Sequence, residues 1–245
     1  TSLAVESGAS STIVPVYLNK LLSNASVGHL YSLHESYIYF DSAYISQLDA
    51  RIRSLMATGG AVYIRFLLED GAESFVSGMG ASGIPDMSSQ QNMDLVVAFT
   101  DFLCTRYNDR YAGTIRGIIL GSEIDEAYER SDVASVSDYA KNYFRYMTVV
   151  SSSANQISPN IDVVLPFGNV DSYTTENIVG VCSPSTLLET VCFMLDNKFV
   201  DPFNFSALID TDVIPYGLSD KTLASGVLKP NGDGLLSADS VRVFS

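Results

Sequence analysis

The chain has 245 residues, of which 47% are hydrophobic and 17% charged, a composition typical of one folded domain and not of a disordered chain. Its formal net charge of −14 argues against a nucleic-acid partner, because few cationic side chains are available to neutralise a row of phosphates. No apolar run approaches the ~18 consecutive residues that a membrane-spanning helix needs, so we expect no membrane span.

Strand-like and helix-like patterns alternate along the chain. Short apolar runs predict buried strands at 14–18, 61–68, 115–122, 161–166 and 211–216. Apolar residues at helical spacing predict helices between them: one from the N-cap Asp41 to Gly59, one carrying Val96, Phe99, Leu103 and Tyr107, and two at about 137–153 and 184–199. This alternation indicates βαβ units and a parallel sheet.

The spacing of the predicted strands favours a barrel. Strand starts recur roughly every 50 residues, and a complete (β/α)8 barrel takes about 250 residues. Only five repeats are visible in this sequence. We therefore predict an α/β fold of the (β/α)8 TIM-barrel type that is incomplete in this chain, with residues 1–12 as a linker or tail and 13–245 as the barrel domain, truncated at its C-terminus.

The two histidines lie in one short segment. Residues 29–40 alternate aromatic and polar side chains and predict a surface hairpin, with both His29 and His34 exposed. No histidine therefore lies near the end of a predicted buried strand, which argues against a histidine-based triad and a histidine-rich metal site.

Cofactor and metal signatures are absent from the sequence. No glycine-rich dinucleotide or phosphate-binding fingerprint follows a predicted strand. Cys104, Cys182 and Cys192 lack metal-ligand spacing; Cys182 and Cys192 could pair, but two buried free thiols explain them at least as well. We predict no cofactor and no metal.

The segment Gly117–Asp125 contains the leading candidate for a functional residue. It is an apolar run rich in β-branched residues that ends in Gly121, Ser122, Glu123 and Asp125. In parallel α/β proteins, ligands bind at the carboxyl ends of the strands. Glu123 and Asp125 would point to the same side for as long as the strand persists. The alternative is an ordinary acidic residue that opens the next loop.

Carboxylates also follow the neighbouring strands, as Glu69, Asp70 and Asp171. Chemistry that uses carboxylates without histidine, cysteine or metal is above all glycoside hydrolysis, in which one acid protonates the leaving oxygen and a second attacks or activates water. The 14 tyrosines could supply faces for sugar stacking. We predict that the partner is a carbohydrate.

Four segments resemble a bacterial family of glycoside-hydrolase-like TIM barrels: VPVYL at 14–18, YIYFDSAYISQLD at 37–49, Phe102-Leu103 with Arg106-Tyr107, and GSEID at 121–125. In related retaining glycosidases the strand ends Gly-Asn-Glu, and the resemblance implies that Glu123 is the general acid/base. Ser122 replaces the asparagine, and the strand that ends at Tyr216 lacks the usual histidine. The family's nucleophile would be a glutamate on a later strand than this chain contains.

Two functions follow as hypotheses. The first is a secreted or cell-surface glycoside-hydrolase-like domain that acts on a polysaccharide or oligosaccharide, with Glu123 as the catalytic residue and Ser122, Asp125, Glu69, Asp70 and Tyr216 as substrate contacts. The alternative is a non-catalytic carbohydrate-binding or scaffold domain on the same fold. Because Glu123 is the only catalytic carboxylate that can be assigned, we expect no hydrolysis by this chain alone. Because the barrel is incomplete, we expect other domains or chains to complete it.

Overall fold

The structure is a computed structural model. It describes residues 11–23, 27–33, 36–57, 59–69, 79, 82–109, 115–167, 182, 184–197 and 205–209. In chain order the elements are β1 (Ser11–Tyr17), α1 (Leu18–Leu21), β2 (His29–Leu33), β3 (Ser36–Phe40), α2 (Ser42–Met56), β4 (Ala61–Leu67), α3 (Gln90–Cys104) with a π-turn over Thr105–Asp109, β5 (Ile115–Leu120), α4 (Ile124–Ala127), α5 (Val136–Ile157), β6 (Asp162–Phe167), α6 (Pro184–Asp196) and β7 (Phe205–Ile209).

Five parallel strands form the main sheet, in the order β1-β4-β5-β6-β7. Each strand of this sheet lies beside the one before it in the chain. A doubly wound fold would reverse direction at a switch point, whereas a TIM barrel adds each strand on the same side. The fold is therefore α/β of the TIM-barrel type. Among the described strands, β1 and β7 stand at opposite edges, so this part of the sheet is open.

Alternating side chains on the strands explain where the core lies. In β1 the residues Val14 and Val16 are buried, and in β4 so are Val62, Ile64 and Phe66. The residues between them point to the other face and are less buried, as the period of two in a strand requires. The buried face packs in one hydrophobic cluster with residues of α2, α3, α5 and α6, so the helices cover one face of the sheet.

The helices begin where polar caps precede an apolar stripe. The Asp41 carboxylate accepts a hydrogen bond from the Tyr44 backbone N–H at 2.7 Å and caps α2. Ser89 caps α3 and Ser135 caps α5 in the same way. The predicted stripe of α2 is buried at Ile45, Leu48, Ile52 and Leu55, and the stripes of α3 and α5 are buried as predicted. None of the helices in the described part of the chain is long and apolar enough to cross a bilayer.

The predicted hairpin forms between α1 and α2. β2 and β3 pair antiparallel, with His29 opposite Phe40 and Leu33 opposite Ser36. His29 is exposed, as predicted, and its ring lies 6.1 Å from that of Phe102. His34 lies outside the described residues.

Two strand boundaries differ from the sequence prediction. β1 begins at Ser11, and Ser11 and Thr12 pair with Ala61 and Val62. The fifth strand of the sheet is Phe205–Ile209, where no strand was predicted, and it pairs with β6. The strand predicted at 211–216 lies outside the described residues. The period-two signal of β7 is weak because Ala and Leu in its centre favour helix as much as strand.

Candidate active site

Glu123 lies in a strained turn at the carboxyl end of β5. The strand ends at Leu120, and Glu123 immediately precedes α4. Its backbone is left-handed, with φ 46° and ψ 59°, and within the described ranges it is the only residue other than glycine with positive φ. A side chain in this region costs about 1–2 kcal/mol, and such strain is concentrated at functional sites. Because the strand stops before Glu123, the same-side arrangement with Asp125 does not follow from strand geometry.

Two buried tyrosines of α5 hold the carbonyl groups on either side of this turn. The Tyr143 hydroxyl donates to the Leu120 carbonyl oxygen, and the Tyr139 hydroxyl donates to that of Ile124, both at 2.8 Å. Burial raises the pKa of both phenols well above the ordinary value, so they remain donors. The five-residue stretch from Leu120 to Ile124, which contains Glu123, is therefore fixed at both ends by one long helix.

The turn is covered by the segment that precedes α3. Gly121 has φ 85°, and a Cβ at that position would lie 2.8 Å from the Ile84 side chain. Asn142 of α5 accepts from the Met87 N–H at 2.8 Å and donates to the Pro85 carbonyl at 2.9 Å. The covering segment and the turn are thus held by the same helix, and the positive φ at position 121 favours glycine.

Three acidic residues lie within four positions, in different environments. Glu123 is half-buried and Asp125 is 3% exposed. Burial raises the pKa of Glu126, with further contributions from the neighbouring carboxylates of Glu123 and Asp125. The Cys182 thiol lies near Asp125, and burial first and this carboxylate second raise its pKa to about 12. Glu126 therefore takes up a proton more readily than a free glutamate.

The ends of β1 and β4 contribute a polar group of their own. The Lys20 ammonium pairs with the Glu69 carboxylate at 2.7 Å, and the Glu69 backbone N–H donates to the Asn19 side chain at 3.0 Å. Lys20 also lines an open cleft of about 710 Å³ together with Asp41, Tyr44 and Gln47. β4 lies between β1 and β5, so this cleft is two strands, roughly 10 Å, from the end of the Glu123 strand along the sheet edge.

The predicted site residues occupy different positions. Ser122 and Glu123 are half-buried at the sheet edge, Glu69 is exposed beside Lys20, and Asp125 is buried in α4. Asp70, Asp171 and Tyr216 lie outside the described residues. Lys20 and Asn19 were not predicted, although they follow β1 closely and so occupy the same edge as Glu69. Glu126 was also missed, because its proximity to Glu123 follows from α4 and not from the strand.

Other candidate chemistries receive no support from the described residues. Cys104, Cys182 and Cys192 are free, with Cys104 and Cys182 buried and Cys192 exposed, so the pairing of Cys182 with Cys192 does not occur here. In the described ranges no group of three or more His, Cys, Asp or Glu side chains is placed to hold a metal ion. A second cavity of about 240 Å³ lies on the open face of the sheet, lined by Tyr63, Ile119 and Asp162, away from the carboxyl edge.

Removing the Tyr143 hydroxyl tests how the turn is held. We expect Tyr143→Phe to lower the free energy of unfolding by about 1–3 kcal/mol, because the buried Leu120 carbonyl loses this donor. Urea denaturation measures the change. Tyr37→Phe is the control, since the Tyr37 side chain is exposed and its substitution should change stability by less than about 0.5 kcal/mol. Equal effects of the two substitutions would contradict the proposed hydrogen bond.

Several solved structures are similar to this chain at low sequence identity. The virulence factor SghA, solved with its substrate analog salicin, is 10% identical with a TM-score of 0.47, over 68% of this chain and 35% of that chain. The family 1 β-glucosidase from Thermotoga maritima is 10% identical with a TM-score of 0.48, over 79% of this chain and 40% of that chain. The β-mannanase from the blue mussel Mytilus edulis is 9% identical with a TM-score of 0.48, over 78% of this chain and 57% of that chain.

This chain spans from about a third to somewhat more than half of the length of these structures. No curated protein matches the sequence. A family profile matches residues 1–177, which is more than half of the chain. The chain therefore belongs to DUF5722, a family of unknown function.

Proposed function

We propose that this chain is a glycoside-hydrolase-like domain that acts on a saccharide at the carboxyl edge of its parallel sheet, with Glu123 as the general acid/base. The observation that carries the proposal is the backbone of Glu123, a non-glycine residue in a left-handed conformation at the end of a buried strand. Tyr139 and Tyr143 fix both sides of this conformation. A protein bears such strain where the position of one side chain matters.

The chemistry of hydrolysis defines what Glu123 would do. A general acid protonates the oxygen of the leaving sugar, and a second carboxylate attacks the anomeric carbon or activates water from the opposite side. Glu123 is half-buried and so reachable from the sheet edge. Polar side chains along the same edge, those of Lys20, Asn19 and Glu69, would bind sugar hydroxyl groups.

The alternative is a non-catalytic carbohydrate-binding or scaffold domain, and two observations favour it. Ser122 stands where the resemblance expects an asparagine that binds the sugar 2-hydroxyl. Glu69, on the strand next to Glu123, is paired with Lys20 at 2.7 Å and is therefore suited to hold a hydroxyl more than to act as a nucleophile. Asp125 is buried in α4. Among the described carboxylates, none is therefore assigned as the second catalytic group on the other side of the glycosidic bond from Glu123.

Binding of a basic sugar analogue separates the role of Glu123 from turnover. We expect the 245-residue chain to bind an iminosugar such as deoxynojirimycin, whose ammonium group pairs with the acid/base carboxylate, and to leave aryl glycosides unhydrolysed. Glu123→Gln should weaken iminosugar binding about tenfold or more, because it removes a charge-assisted hydrogen bond. Isothermal titration calorimetry measures the dissociation constant.

Glu129→Gln is the matched control, because Glu129 is an exposed glutamate just after the same short helix. Its affinity should stay within about twofold of the original. If the original chain and Glu123→Gln bind the iminosugar with equal affinity and neither hydrolyses an aryl glycoside, Glu123 is not part of the site. Hydrolysis of an aryl glycoside that disappears in Glu123→Gln would establish the acid/base role and show that the expectation of an inactive chain is wrong.

A further inference from the structure

The solvent-facing side of the β2–β3 hairpin carries a row of aromatic and aliphatic side chains. Leu30 is paired with Tyr39, and Ser32 with Tyr37, in the antiparallel ladder. Directly opposed residues point to the same side, and Leu30 and Ser32 are two positions apart, so these four side chains share one face. Tyr37 is 68% exposed and Leu30 is 56% exposed, whereas Tyr39 is half-buried. We refer to Leu30, Ser32, Tyr37 and Tyr39 as the hairpin face.

The opposite side of the hairpin is fixed to α3. Tyr31 donates to the Asp101 carboxylate at 2.6 Å, and Asp101 also accepts a hydrogen bond from Ser153 of α5. Phe40 is fully buried, with its ring 4.4 Å from that of Phe102. The hairpin face is therefore presented by a ribbon with fixed orientation, which lowers the ordering cost of binding.

We propose that the hairpin face is a second saccharide-binding surface, which takes a neutral polysaccharide chain by stacking sugar rings on Tyr37 and Tyr39. This inference rests on the proposed carbohydrate function. A sugar ring has an apolar face and a rim of hydroxyl groups, and tyrosine offers a flat apolar ring with a hydroxyl at its end. Leu30 adds apolar area between the rings, and Ser32 adds a hydroxyl.

Charge decides which saccharides fit. The four residues of the hairpin face carry no ionisable carboxylate or amine, while the whole chain has a net charge of −14. An anionic polysaccharide would be repelled by the rest of the protein, and a cationic one would gain no direct partner on this face. A neutral chain meets neither obstacle.

The size of the hairpin face argues against a second copy of this chain as the occupant. Covering Leu30, Tyr37 and Tyr39 would remove roughly 300–400 Å² from water. A stable protein–protein interface needs about 800 Å² from each partner. A row of two tyrosines is, by contrast, sufficient for adjacent sugar rings.

The strand that carries Tyr37 and Tyr39 also adjoins the open cleft at the sheet edge. Ser23 donates its backbone N–H to the Tyr39 carbonyl at 2.8 Å, and the Asp41 N–H donates to the Leu21 carbonyl at 2.9 Å. Ser23 and Asp41 both line the 710 Å³ cleft that contains Lys20. A polysaccharide bound on the hairpin face would therefore lead toward the cleft and the carboxyl edge.

Affinity gel electrophoresis with three soluble polysaccharides tests this inference. Hydroxyethylcellulose and glucomannan are neutral probes, and polygalacturonate is the anionic probe. We expect the neutral probes alone to retard the 245-residue chain. Tyr37→Ala should raise the apparent dissociation constant roughly two- to tenfold, the range for loss of one aromatic stacking contact, whereas Tyr37→Phe should keep most of the retardation.

Glu123→Gln separates this surface from the catalytic proposal. Retardation that depends on Tyr37 but not on Glu123 supports saccharide binding at the hairpin face. This conclusion holds even if Glu123→Gln leaves iminosugar binding unchanged, a result that would remove the acid/base role of Glu123. Retardation that Tyr37→Ala leaves unaltered would overturn the hairpin face and leave the Glu123 proposal standing. The inference also fails if no neutral polysaccharide retards the chain, or if light scattering shows a dimer that Tyr37→Ala dissociates.

Discussion

Replacing Asp49 by alanine is expected to lower the free energy of unfolding by about 3–5 kcal/mol, as is typical when one partner of a buried ion pair is removed. Asp49 is 7% exposed in the middle of α2. Its carboxylate accepts from Arg106 Nε at 2.8 Å and from the second guanidinium nitrogen at 2.6 Å, and from the Tyr107 hydroxyl at 3.2 Å. The substitution leaves a mostly buried guanidinium without these two bonds. Urea denaturation followed by circular dichroism measures the loss.

A double-mutant cycle distinguishes this ion pair from simple loss of packing. Arg106→Met keeps an apolar stem of similar length, and Asp49→Leu keeps a side chain that branches at Cγ. Because the double substitution removes both charges, we expect it to be far less destabilising than Asp49→Ala alone. Additive effects of the two single substitutions would contradict direct coupling. The pair joins α2 to the π-turn after α3, and these helices flank β4, the strand that leads to Glu69.

The core of the fold follows from patterns that are local in sequence. Val62, Ile64 and Phe66 alternate with less buried residues, and a period of two can arise only in a strand. Tyr139, Tyr143 and Tyr146 are spaced for one side of a helix, and all three are buried in α5. β7 was missed because five residues with Ala and Leu at the centre do not distinguish strand from helix.

The position of Glu123 in the fold was predictable, but its backbone conformation was not. The end of the apolar run placed Glu123 at the carboxyl edge, where the structure finds it. The carbonyls on either side of Glu123 accept hydrogen bonds from Tyr139 and Tyr143, which are 16 and 20 residues away from Glu123 in the chain. Helical periodicity reveals that these tyrosines are buried but not that their hydroxyl groups reach Ile124 and Leu120. The Lys20–Glu69 pair is likewise invisible, since its members are 49 residues apart.

Phe40→Ala is expected to lower the free energy of unfolding by about 3–5 kcal/mol, the range for deletion of a fully buried phenylalanine ring. The ring of Phe40 packs against those of Phe102 at 4.4 Å, Phe99 at 5.8 Å and Tyr31 at 6.0 Å. Its removal leaves a cavity between the hairpin and α3, which stay held together by the Tyr31–Asp101 hydrogen bond and so cannot fully repack. Urea denaturation measures the loss of stability.

Tyr37→Ala is the matched control for this substitution, because it deletes an aromatic ring from the same strand on the opposite side. The Tyr37 ring is exposed, so the free energy of unfolding should change by less than about 0.5 kcal/mol.

Hydrogen exchange adds a local measurement of how Phe40→Ala affects the hairpin. In Phe40→Ala the amides of Tyr31 and Ile38 should exchange faster under conditions in which the amides of β4 and β5 stay protected, since the hairpin loses its attachment before the sheet unfolds. Uniformly faster exchange would show instead that Phe40 stabilises the whole domain. Loss of saccharide binding in Phe40→Ala, with Tyr37 unchanged, would then reflect global unfolding and not the orientation of the hairpin face.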